Sequence, residues 1–233
     1  MILAIESATP FGSVALVDRG AVLREIILPA GRQVSETLLS AVEGLFPPGG
    51  PSPREVACVA VSAGPGSFTG LRVGMAAAKG LCFGWGVPVV LVPTLAALAS
   101  RFPGEGRTIC PILDARKKEV YVAFFRWEGG SLARRTPDMA LPPGVLPERV
   151  PEGNVLFCGD AVGPFGAMLR SLLGGRAELV AGPGGQPRAG AVGLLAETAF
   201  REGAAQDART AVPRYLRPSE AELSRGGRGT QAL

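Results

Sequence analysis

The chain has 233 residues, of which 47% are hydrophobic and 19% charged, enough to build a substantial core and too apolar for global disorder. Its formal net charge of +4 permits contact with nucleic acid without demanding it. Histidine is absent, which excludes a Ser-His-Asp triad, a Cys-His pair, a histidine general base and a His-ligated zinc. No apolar stretch reaches the roughly 18 residues that a membrane span needs. The start, Met1-Ile2-Leu3-Ala4-Ile5-Glu6, lacks a basic region and carries an acid at its sixth position, unlike a signal peptide. Cys58, Cys82, Cys110 and Cys158 form no CxxC pair and sit mostly in apolar runs, as reduced core cysteines of a cytoplasmic protein do.

In chain order, Ile2 to Ile5, Ser13 to Val17 and Val22 to Leu28 read as a three-stranded meander, with a hairpin turn at Asp18-Arg19-Gly20. A helix is predicted over Ser35 to Leu45, capped by Ser35, with Leu38, Leu39, Val42 and Leu45 at helical spacing. Val56 to Val61 is a buried strand. Gly64-Pro65-Gly66 breaks it, and Ser67 stands as the N-cap of a helix from about Thr69 to Phe83. Pro88 to Val92 is a strand, and Thr94 caps a short helix ending near Ser100. Strands, helix, strand, helix, strand, helix is the order of a ribonuclease-H-like half domain. After a hinge at Arg101 to Gly106 the order begins again: strands at Ile109 to Leu113 and Val120 to Trp127, then a weak strand. Pro137 to Gly153 reads as loop, followed by a strand at Val155 to Cys158 and a helix at Ala161 to Leu173. A short strand at Ala177 to Val180 and a helix at Ala189 to Arg201 complete the order. The expected architecture is an α/β actin-like ATPase fold of two similar halves, the second reduced. Its boundaries fall at 1–103, 104–218 and a flexible tail 219–233.

Two constellations carry the functional argument. A strand, glycine turn and helix start can hold an anion on backbone N–H groups. This places Gly64, Gly66 and Ser67 beside the strand-end Glu6, Ser7 and Thr9 and the second-half turn that carries Asp114 and Arg116, as a vestigial nucleotide cleft. Arg116 is set to pair with Asp114 or Glu119. The second constellation is Gly70, Gly74 and Ala78, which recur every four residues on one helix face. Glycine inside a helix costs roughly 1 kcal/mol against alanine, so the face implies close packing against another helix. It predicts that Gly74→Leu weakens association while the monomer stays folded. A Ser67–Lys79 catalytic pair fails on distance, since twelve helical residues span about 18 Å.

Four blocks resemble the TsaB (formerly YeaZ) family: Met1 to Thr9, Gly64 to Gly74, Asp114-Ala115-Arg116-Lys117-Lys118-Glu119-Val120-Tyr121 and Pro213-Arg214-Tyr215-Leu216-Arg217. The resemblance implies a non-catalytic scaffold in the pathway that makes threonylcarbamoyladenosine in tRNA. Such a protein pairs with the catalytic paralogue TsaD through its first two helices, self-associates through the same surface when alone, and has TsaE as a further partner. The interface residues it implies are Ser35, Leu38, Leu39, Val42, Gly70, Leu71, Val73, Gly74, Ala77 and Ala78. It implies no metal and no cofactor of the chain's own; ATP or ADP would enter in the assembled complex, and tRNA would be met only through it. TsaD holds a metal through a His-x-x-x-His motif, and Val34 stands where TsaB members often keep one histidine. An actin-like kinase or ATPase using Glu6 and Asp114 is the rival reading. The basic run of Arg209, Arg214, Arg217, Arg225 and Arg228 is a candidate for contact with tRNA phosphates. Tyr215 and Leu216 are expected to pack against the second half.

Overall fold

The alternation of large and small side chains in the first strands decides what covers each face. In a computed structural model that describes residues 1–29, 33–104 and 106–217, β1 (Ile2–Glu6) lies antiparallel to β2 (Ser13–Asp18). It lies parallel to β4 (Cys58–Ser62). β3 (Ala21–Ile27) and β5 (Val89–Val92) complete the order β3-β2-β1-β4-β5. Leu3, Ile5, Val14, Leu16, Val59 and Val61 point to one face. There they share a core with Leu38 and Val42 of α1 (Val34–Gly44) and with Met75 and Ala78 of α2 (Phe68–Trp85). The opposite face carries Ala4, Ala15, Val17 and Ala60, whose short side chains admit a helix at close range. That helix is α6 (Ala189–Arg201), and a methyl group on its Gly193 would come within 2.4 Å of Val17 Cγ2.

The second sheet repeats the first in the order β10-β7-β6-β11-β12. The central β6 (Thr108–Asp114) runs parallel to β11 (Val155–Cys158), which neighbours β12 (Ala177–Val180). β7 (Val120–Val122) and β10 (Met139–Leu141) extend the other edge. α5 (Val162–Leu173) covers one face. The short α3 (Thr94–Ala99) fills the other with Leu95 and Leu98 against Ile109, Leu113 and Phe125. α3 also touches α6, so these two helices form the layer between the sheets.

Several sequence expectations need correction. The strand expected over Val120 to Trp127 is two, β7 and β8 (Phe125–Glu128), because Phe124 leaves the ladder: its N–H donates to Thr136 Oγ1 at 3.0 Å. β8 pairs with the start of β6 and with β9 (Ser131–Arg134). The expected loop Pro137 to Gly153 holds β10 and one turn of helix, α4 (Leu146–Arg149). The first helix begins after Gln33 with no side-chain cap, so Ser35 lies inside it. Thr94 is no cap either, and its Oγ1 instead accepts from the N–H of Gly64 at 3.1 Å. The fourth strand starts at Cys58, after a turn of 3-10 helix at Pro53–Glu55. The helix at 189–201, expected with the second half, packs on the first sheet. The expected tail 219–233, with Arg225 and Arg228, lies outside the described residues.

The segment after α6 ties the halves together. Gln206 bridges to Val89 at the edge of β5, and Lys79 Nζ donates to the Arg209 carbonyl at 3.4 Å. The Arg214 N–H then donates to the Ala63 carbonyl at 2.7 Å. Arg217 closes an ion pair with Glu119, on the turn between β6 and β7 of the second half.

Candidate functional site

A cleft of about 950 Å³ opens between the halves. Of the residues expected at a nucleotide cleft, Thr9, Gly66, Ser67, Asp114 and Arg116 line it. Glu6, Ser7 and Gly64 do not: all three are buried beneath its wall. Phe68, Tyr121, Asp160, Tyr215 and Arg217 also line it and were not foreseen as cleft residues.

The glycine turn is built for close approach between backbones. At Gly66 a methyl group would lie 2.4 Å from the Ala8 carbonyl oxygen. At Gly64 (φ +111°) it would lie 2.4 Å from the Arg214 carbonyl oxygen. The turn's donors are largely taken by the chain itself. The Gly64 N–H goes to Thr94 Oγ1, the Ser67 N–H to the Ala8 carbonyl at 2.7 Å, and the Gly70 N–H to Ser67 Oγ at 3.3 Å. Ser67 is thus the helix cap that its position predicts. Those three amides are not available to hold an anion.

Glu6 is fully buried at the end of β1. Its Oε1 accepts from the Ala8 N–H at 2.6 Å, and its Oε2 has no hydrogen-bond partner among the described residues. Burial, opposed in part by that hydrogen bond, pushes its pKa up to about 7. Across the cleft, Asp160 accepts from the Asp114 N–H at 2.9 Å, and burial raises its pKa too. Arg116 pairs with Asp114 at 3.2 Å and leaves Glu119 to Arg217. Arg116, Lys117 and Lys118 all have positive φ, a left-handed turn of three cationic residues at the cleft rim. Among the described residues, no three His, Cys, Asp or Glu side chains are placed to hold a metal ion.

The other candidate surface is the α1–α2 face, where the close-packing stripe faces the wrong way for a partner. A methyl group at Gly70 would lie 2.0 Å from the Ser7 carbonyl oxygen, and one at Gly74 2.1 Å from Ser7 Oγ. Gly70, Leu71, Gly74 and Ala78, with Leu38 and Val42, are therefore buried in the chain's own core. Val73 and Ala77 are half-buried beside α1, while Ser35 and Leu39 are exposed. The outward face of α2 carries a second stripe that the sequence reading missed. Ala76, Gly80 and Gly84 are exposed, with none of the described residues within 4 Å of a methyl group at either glycine. Phe83 beside them is 90% exposed and Leu39 is 59%. Tyr215, expected on the second half, stacks instead on Phe68 of α2, with ring centroids 4.8 Å apart.

Comparison with known proteins gives one consistent result. Residues 27–224 match the family described as TsaD: tRNA N6-adenosine threonylcarbamoyltransferase. The tRNA threonylcarbamoyladenosine biosynthesis protein TsaB of Bacillus subtilis is 30% identical over 223 residues, 95% of this chain and 96% of that protein. TsaB of Escherichia coli is 36% identical over 153 residues, covering 64% of this chain and 65% of that protein. The solved structure of YeaZ from Pseudomonas aeruginosa is 28% identical and superposes with a TM-score of 0.76, covering 92% of this chain and 99% of that one.

Proposed function

We propose, since this chain belongs to the TsaB (YeaZ) family, that it serves tRNA threonylcarbamoyladenosine biosynthesis as a non-catalytic scaffold paired with TsaD. One observation carries the pairing. The outward face of α2 joins small residues at Ala76, Gly80 and Gly84 to an exposed Phe83, with Leu39 of α1 also exposed. Small residues at four-residue spacing let a second helix approach to the usual 8–10 Å separation, and an exposed aromatic beside them is a common energetic anchor. The same face serves self-association when TsaD is absent, and TsaE is a further partner of the assembly. ATP or ADP enters with those partners.

The absence of histidine supports the non-catalytic role, as does a glycine turn whose Gly64 and Ser67 amides are bonded internally. The actin-like kinase reading needed Glu6 at the cleft, and Glu6 is buried beneath it. Phe83→Asp and Gly80→Leu are each expected to weaken binding to TsaD from the same source by about 100-fold or more, with the melting temperature of the monomer nearly unchanged. Titration calorimetry with each variant reads this directly. Unchanged affinity in both would place the interface elsewhere.

A further inference from the structure

We infer that the C-terminal segment and the left-handed turn it reaches form a track for RNA, a function of this chain distinct from its docking face. The inference deepens the scaffold reading and rests on it for the identity of the RNA. Along one flank of α2, Lys79 meets the Arg209 backbone, and Arg72 Nε donates to the Tyr215 hydroxyl at 3.3 Å. Arg214 lies between Arg209 and Tyr215 and is exposed. The segment then crosses the cleft to Glu119 through Arg217, beside the turn that exposes Arg116, Lys117 and Lys118.

Eight cationic residues therefore lie along the segment, the flank of α2 that it follows and the turn that it reaches. They face four carboxylates, Asp114, Glu119, Asp160 and Asp207. The excess of four positive charges equals the whole formal +4 of the chain, so the rest of the chain is neutral on balance. Midway stands a stacking platform. Arg72 Cζ lies 3.8 Å from the Phe68 ring centroid, Phe68 stacks on Tyr215, and Tyr215 remains 39% exposed. A cationic path with an exposed ring and guanidinium plane fits a phosphate backbone with an unstacked base, the way single-stranded and looped RNA is bound. α1 packs on the other flank of α2, so the track adjoins the proposed docking face without using it.

The test is fluorescence anisotropy of a labelled tRNA transcript with the full chain, alone and assembled with TsaD, between about 50 and 200 mM salt. The triple variant Arg116→Asn, Lys118→Asn, Arg214→Gln removes three charges, and asparagine tolerates the left-handed conformation. It is expected to bind about tenfold more weakly or worse, with a salt slope shallower by about 2. Tyr215→Leu is expected to lose about fivefold or more with the slope unchanged, since stacking releases no counterions. If the triple variant assembles with TsaD normally and binds tRNA with the parent's affinity and slope, the track is wrong and the scaffold reading survives. If the parent chain does not bind TsaD, the scaffold reading fails, and tRNA titration of the chain alone still decides the track. Charge-dependent binding to phosphatidylglycerol vesicles with none to tRNA overturns the track in favour of a lipid surface.

Discussion

Gly74→Leu is expected to prevent the chain from folding, the opposite of what a partner-facing glycine would give. A single methyl group there already meets Ser7 Oγ at 2.1 Å, and Ser7 is fixed because its hydroxyl donates to the Gly70 carbonyl at 2.9 Å. The turn after β1 would have to leave the helix. Gly74→Ala is expected to cost about 3 kcal/mol, at the upper end for overpacking, which lowers the melting temperature by roughly 6–12 °C in a chain of this size. Gly80→Ala is the matched control. It sits in the same helix with open space around it, so it should gain about 0.5–1 kcal/mol from propensity alone. Thermal melts of the two variants decide the orientation of the helix. If Gly74→Ala melts with the parent, α2 is turned outward and the glycine stripe is free.

The next largest effect belongs to Glu6. Its pKa is raised from 4.5 to about 7 by burial, so the folded chain keeps this proton where the unfolded chain has lost it. Between those two values the folded state binds more protons, and stability must fall as pH rises. The contribution is fully present below pH 4.5 and gone above about 7, a loss of about 3 kcal/mol for a shift of this size. Glu6→Gln keeps the acceptor for the Ala8 N–H and cannot ionise. The variant should match the parent near pH 4.5 and exceed it by about 3 kcal/mol near pH 8. Denaturant unfolding across that range measures the difference. A difference that does not change with pH would mean the ionised carboxylate is stabilised in place.

What the sequence made legible was period and punctuation. Leu3 and Ile5 against Ala4, or Ser67 before a helix, are local signals, and the strands, the helices and the Ser67 cap follow from them. Orientation was harder. α2 carries two small-residue stripes, Gly70-Gly74-Ala78 and Ala76-Gly80-Gly84, with the same spacing. The neighbours distinguish them: Leu71, Met75 and Cys82 flank the first and are buried, while Thr69 and Arg72 border the second and are exposed. The cleft was legible in its hydroxyls and in Asp114 and Arg116. The fate of the Gly64 and Ser67 amides was not, because their acceptors come from Thr94 and Ala8, remote in sequence. Tyr215 reaches Phe68 across more than half the chain, a pairing no local pattern encodes.

The position of α6 sets the order in which the molecule can be completed. On the ribosome the first sheet emerges early, yet the face carrying Ala4, Val17, Ala60 and Val90 finds most of its cover in residues 189–201, with Ala97 of α3 at one side. Until those are synthesised, a largely apolar surface stands open, and closing it is a contact of long sequence separation, the kind that slows folding and invites aggregation. The N-terminal half is therefore no independent unit. A fragment ending near residue 103 would lack most of the cover over one face of its sheet, and the apolar surface left open there is prone to aggregation.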